Sequence, residues 1–212
     1  VFYVMVIVLS GVLARFARPC AIESVEDRER LEHEAHTDGL TGLRNTRAFN
    51  EDLAREIARA DRAGLPLGLV LLDVDGLKAI NDSKGHQAGD ELIAAVSAAM
   101  VTTLRSGDLA YRIGGDEFAV VLPRESTWGA FRYAQRLQSA LASSPSPLRP
   151  KASAGVAGWD GQTRDQLVHE AYLAFIAALR GRRAALIYTD DLSVRENEYI
   201  SEARIDRLEL VV

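Results

Sequence analysis

Within residues 106–123 an apolar, strand-like run breaks at Gly114-Gly115-Asp116-Glu117 and resumes at once. Strand, glycine-containing pair, strand is the pattern of a tight hairpin, with Gly115-Asp116 as a two-residue turn that needs positive φ. Glycine also lets backbone approach a ligand closely, as phosphates often require. The plainer reading is an ordinary hairpin with a solvated acidic tip. A second set of acids shifts the balance. Asp73 and Asp75 close a wholly apolar stretch beginning at Leu67, and a period of two points them to one face. Carboxylates at the carboxyl edge of a buried strand sit where α/β proteins bind ligands. With the hairpin acids they form an oxygen-donor set for a hard cation, and magnesium takes a few carboxylates plus substrate phosphates. For Asp73 the structural alternative is a helix cap or turn residue.

The elements that must position these acids are legible in the hydrophobic pattern. Phe49, Leu53 and Ile57 share one face of a helix. A buried strand follows over 67–74, then a helix over 86–104 with Leu92, Val96, Met100 and Leu104 aligned. Two short strands flank the glycines. A helix over 127–142, a Ser/Pro loop, a strand over 151–157, a helix over 164–180 and a strand over 184–188 complete the order α-β-α-β-β-α-β-α-β. Strands joined by helices and one hairpin predict an α/β (α+β) domain with a mixed central sheet and surrounding helices.

The bulk properties are those of an ordinary globular chain. The sequence has 212 residues, 48% hydrophobic and 26% charged, which suits one domain plus a stalk or tail. A net charge of -5 supplies no basic footprint for nucleic acid. One cysteine, Cys20, excludes an internal disulfide and a cysteine-based zinc site. Residues 1–14 are uncharged and precede Arg15 and Arg18. A membrane span takes about 20 apolar residues. Residues 1–19 are therefore read either as the end of a transmembrane helix, with its arginines at the cytoplasmic side of the cell membrane, or as a terminal element packed on the domain. Residues 20–36 read as a charged connector helix, and 190–212 as a tail containing a helix.

Four blocks occur in order: Asp-x-Leu-Thr-Gly-Leu at 38–43, Asp73-Val74-Asp75 with Lys78 and Asn81-Asp82, Gly85-His86 with Gly89-Asp90, and Gly114-Gly115-Asp116-Glu117-Phe118. Together they resemble the GGDEF domain family over 37–189. The resemblance implies a ferredoxin-like βαββαβ core, as in nucleotidyl cyclases, and diguanylate cyclase activity: two GTP joined into cyclic di-GMP with release of pyrophosphate. It implies metal binding by Asp73, the Val74 carbonyl, Asp116 and Glu117, with Mg2+ or Mn2+, two per site. Asp116 matches the family's hairpin acid, while Glu117 is a second ligand or helps deprotonate the attacking 3'-hydroxyl. Gly114, Gly115, Lys78 and Arg182 would meet phosphates. Asn81 and Asp90 would read guanine, Asp90 accepting from N1 and N2 donors that adenine lacks, unless Asp90 caps the next helix. His86 would touch the nucleotide or serve the turn. Arg105 and Asp108 have the spacing of the family's Arg-x-x-Asp product-inhibition site, where arginine grips a guanine edge; a helix stop at Gly107 explains the same residues. Because each subunit would hold one GTP, a homodimer is implied.

Departures from the family pattern lie late in the chain. Ala171 and Ala178 stand where the family has an aspartate and a phosphate-binding lysine, although Gly181 and Arg182 remain. Gly76 and Leu77 replace bulkier neighbours, and the start signal reads Asn45-Thr46-Arg47. The alternative these changes raise is a catalytically weak domain that senses GTP or cyclic di-GMP.

Overall fold

The computed structural model describes residues 35–181 and 185–188. Contacts divide the chain after Thr37, and every element below belongs to the second unit. The apolar segment, nearly all of the connector, Arg182 and the tail lie outside the described residues.

Helix α1, Thr46–Ala63, starts where the Asn45 side chain accepts from the Ala48 amide at 3.1 Å and stops at Gly64, φ 61°. This is the physical content of the Asn-Thr-Arg start signal: a short polar side chain satisfies an orphan amide. Strand β1, Leu67–Val74, is followed by α2, Leu77–Lys84, and α3, His86–Thr103. Strands β2, Leu109–Arg112, and β3, Glu117–Pro123, form the hairpin. Helix α4, Thr127–Ala142, is capped by Ser126, whose hydroxyl accepts from the Gly129 amide. Strand β4, Ala152–Trp159, helix α5, Arg164–Gly181, and strand β5, Ala185–Ile187, complete the unit.

The sheet order is β2-β3-β1-β4-β5. Strand β1 lies antiparallel between β3 and β4, and β5 runs parallel to β4. The first four strands and the helices between them form the expected βαββαβ core. Residues of β1 alternate between two apolar layers. Val70, Leu72 and Val74 meet Leu92, Val96 and Met100 of α3 and Tyr133 and Leu137 of α4. On the other face Leu69 and Leu71 join Phe49 and Leu53 of α1 and Leu167, Val168 and Ala171 of α5. Covering both faces is what makes the β1 sequence apolar throughout. Burial of each large side chain contributes about 1.5–3 kcal/mol. At Gly155 the α5 backbone sits directly on β4: a Cβ would come within 2.6 Å of Phe175 Cα.

Two features differ from the sequence-based expectation. The hydrophobic pattern does not mark helix α2, because it is only eight residues long and sets just Leu77 and Ile80, both partly buried, against the core. Its limits come from glycines in left-handed or extended positive-φ backbone, Gly76 at 77° and Gly85 at 86°. Strand β4 also continues two residues past Ala157.

Candidate active site

The acids meet at one end of β1 because of strand register. Asp73 lies directly opposite Glu117 on β3 and opposite Ser153 on β4. The next pair, Val74 and Asp116, is joined by the Val74 amide donating to the Asp116 carbonyl at 3.0 Å. Hydrogen-bonded and non-hydrogen-bonded pairs alternate in an antiparallel ladder. Asp73 and Glu117 therefore form the close, non-hydrogen-bonded kind, with side chains on one face. Like charges placed this way repel, and a divalent cation relieves that repulsion. Asp73 is not a helix cap, since α2 starts at Gly76 without a side-chain cap. Asp75 is turned to β4, where its Oδ1 accepts from the Ser153 hydroxyl at 2.9 Å.

The hairpin turn differs from the two-residue form. Ile113 and Gly114 amides both donate to the Glu117 carbonyl, at 2.9 and 3.2 Å. Gly114, Gly115 and Asp116 thus form a three-residue loop, and neither glycine adopts the left-handed backbone. What Gly114 provides is room: a Cβ there would lie 2.5 Å from Glu117 Oε2. Above Gly115 the space is open, with nothing within 4 Å of a Cβ.

A residue that sequence reasoning missed steadies this loop. Arg112 donates from Nη1 to both Asp38 oxygens, at 3.1 and 3.2 Å, and from Nη2 to the Gly115 carbonyl at 2.8 Å. It links the Asp-x-Leu-Thr-Gly-Leu turn to the hairpin tip. Asp38 also accepts from the Thr41 hydroxyl at 2.6 Å and the Thr41 amide at 2.9 Å. Burial alone would raise the Asp38 pKa, but the Thr41 hydrogen bonds and the Arg112 guanidinium together hold it below the usual aspartate value. A lone arginine at a strand end carries no sequence signal beyond its charge, so only the fold reveals this role.

Asn81 of α2 packs against Gly89 of α3, the residue before Asp90. A side chain at Gly89 would collide with Asn81 Oδ1. That oxygen is buried without a hydrogen-bond partner among the described residues. Asp90 is exposed inside α3 and is not its cap, which is Gly85. His86, the first residue of α3, and Lys78, in the first turn of α2, are both exposed.

Arg105 and Asp108 form a separate turn. The Asp108 side chain accepts from the Arg105 amide at 2.8 Å, and Gly107 has φ 97°. The Arg105 guanidinium pairs with Glu125 at 2.5 Å. In α5, Ala171 at mid-helix and Ala178 near the C-terminal end are fully buried, each 0% exposed.

Among the described residues no group of three or more His, Cys, Asp or Glu side chains is drawn together as a metal site. Magnesium held by one or two carboxylates and by substrate phosphates needs no such group. The all-oxygen donors of Asp73, Val74, Asp116 and Glu117 at one sheet end fit that cation. Among the described residues no helix is long and apolar enough to cross a membrane.

A ferredoxin-like core carrying an acid-tipped hairpin against the end of its central strand is the nucleotidyl cyclase-like architecture. The family model described as "Diguanylate cyclase, GGDEF domain" matches residues 35–184, and the chain belongs to that family. Diguanylate cyclase DgcP of Pseudomonas aeruginosa is 38% identical over 161 residues, 74% of this chain and 24% of that protein. Cyclic di-GMP phosphodiesterase NbdA of the same organism is 34% identical over 194 residues, 85% of this chain and 25% of that protein. The chain thus spans about a quarter of the length of either relative. The crystal structure of the coiled coil and GGDEF domain of DgcB from Caulobacter crescentus, in complex with c-di-GMP, matches with a TM-score of 0.75 and 30% identity. That match covers 84% of this chain and 98% of the DgcB chain.

Proposed function

We propose that the chain is a diguanylate cyclase domain that condenses two GTP into cyclic di-GMP. The observation that carries this is the Asp73–Glu117 register pair, locked by the Val74–Asp116 hydrogen bond. Asp73, the Val74 carbonyl, Asp116 and Glu117 would hold two Mg2+ or Mn2+ ions. Bound there, the ions supply charge neutralisation to the entering and leaving oxygens of phosphoryl transfer.

The side chains do the rest. Glu117 accepts the proton of the 3'-hydroxyl as its oxygen bonds to the α-phosphorus of the other GTP and the bond to pyrophosphate breaks. Two such transfers, one on each nucleotide, close the ring and release two pyrophosphates. The open backbone at Gly114 and Gly115 admits the triphosphate, and Lys78 meets it as a point charge. Arg182 is assigned to phosphate from the family pattern alone. Asn81 donates to guanine's acceptor edge and Asp90 accepts from its N1 and N2; a base without those donors leaves the carboxylate unpaired. His86 borders the nucleotide. Each subunit presents one GTP, so the reaction takes place across a homodimer, in the cytoplasm where GTP is supplied. Arg105 and Asp108 bind product and inhibit; on ligand arrival the guanidinium exchanges Glu125 for a guanine edge.

Incubating the chain with GTP and magnesium at high protein concentration and assaying for cyclic di-GMP tests the reading. GTP bound but no product formed would replace it with a second one, a sensor module that binds GTP or cyclic di-GMP. The buried Ala178 favours that second reading, since α5 presents no lysine there.

A further inference from the structure

We infer that Lys151 is the phosphate-binding cation of this site, contacting the terminal phosphates of the nucleotide; the inference rests on the GTP reading above. Strand register sets its position. The ladder that pairs Asp73 with Ser153 continues one step on each strand past Val74 and Ala152, where the Asp75 amide donates to the Lys151 carbonyl at 3.0 Å. Residues two apart on a strand share a face. Asp73, Asp75, Glu117, Ser153 and Lys151 therefore lie on one face of the sheet end. Lys151 stands two residues, about 7 Å, along β4 from the residue opposite Asp73, a gap its four-carbon stem can close.

Its charge is available. Lys151 is exposed, and among the described residues its ammonium makes no ion pair. Asp75, the nearest acid in the ladder, is engaged by the Ser153 hydroxyl. Lys151, Asp75, Ser153, Gln138 and Leu179 line a cleft of about 860 Å³. Leu179 shows that the C-terminal end of α5 overlies this same end of the sheet, with Gly155 beneath Ala171 and Phe175 one step back along β4. The helix directs Ala178 into its packing and contributes no cation from that position. Three carboxylates on one face repel a triphosphate, so a positive group beside them is worth most here; Arg149 lines the same cleft, but Lys151, the residue before β4, is the cation that the ladder places opposite Asp75.

The test is equilibrium binding by the full chain, with magnesium, of GMP and of a GTP analogue whose α–β bridging oxygen is replaced by methylene. Lys151→Ala is expected to weaken the triphosphate analogue about tenfold, as loss of a charge-assisted hydrogen bond does, and to leave GMP affinity unchanged. Lys151→Arg should recover most of the loss, while Lys151→Gln should not. Unchanged analogue affinity in Lys151→Ala overturns the inference alone. Equal weakening of GMP and analogue also overturns it, because the change would then act through the fold. A wild-type chain that binds neither ligand overturns the GTP reading and this inference together.

Discussion

The two sides of the proposed nucleotide site are held by different kinds of structure. On the acid side, Asp73 and Glu117 are placed by backbone pairing, with strands on both flanks of β1 and an amide-to-carbonyl bond one residue away. On the phosphate side, position depends on single side chains at a helix end and a strand end, where Ala178 is buried and Lys151 exposed. A carboxylate set by register cannot be relocated without breaking the sheet. A cation set by one long side chain can be lost from a helix and supplied from a neighbouring strand. The acid side is thus the rigid half of the site, and the phosphate side is the exchangeable half.

The largest expected effect tests the rigid half. Asp73→Asn should lower cyclic di-GMP formation about a hundredfold or more, as removal of a group aimed at transition-state charge does, with near-native thermal stability. Retention of more than half the wild-type rate would show that the register pair is not the reactive feature. Next comes the exchangeable half. Ala178→Lys should cost about 1–3 kcal/mol in urea unfolding, because it forces a charged chain into packed volume. Full stability with tighter GTP binding would mean that the helix position is open after all.

Within the hairpin the comparison narrows to adjacent glycines. Gly114→Ala should lose about 1 kcal/mol and reduce activity, since the new methyl presses on Glu117; Gly115→Ala should stay within about 0.5 kcal/mol of wild type. Equal stability losses would refute the spatial role given to Gly114. The smallest effect concerns pH. The Asp38 pKa is lowered in the folded state, so its contribution to stability is complete above the ordinary aspartate value, about 4. That contribution is lost as pH falls toward the folded-state value. Asp38→Asn should flatten this acid limb of the stability profile, and an unchanged limb would assign it to other carboxylates.

The acids were readable because residue type and strand parity together define a donor set, and the apolar run of β1 announced a strand covered on both faces. Asn45 was readable as a start signal and proved to be an N-cap. Other features left no local trace. Helix α2 is short and turns only Leu77 and Ile80 to the core, so periodicity passes over it. The hairpin's third loop residue depends on where pairing stops at Glu117, and a Gly-Asp pair does not reveal that. Capping chemistry suits Asp90, yet Gly85 begins the helix. Arg112 and Lys151 carry no sequence signal beyond their charge; the fold puts one against Asp38 and the other at the end of the acid-bearing strands.

Glu117 and Phe118 are consecutive and point to opposite faces; the phenylalanine is fully buried in the layer under α3 and α4. A one-residue slip of β3 that put Glu117 in the place of Phe118 would drive the carboxylate into that layer and force the ring into the place of Ala119, which is fully buried on the other face. Such a mispaired chain loses about 1–3 kcal/mol to overpacking by the ring alone, before the cost of the misplaced charge. Molecules with a wrongly assembled site are thereby also poorly folded ones. Quality control that removes unstable chains would remove miscast catalysts without ever inspecting the chemistry.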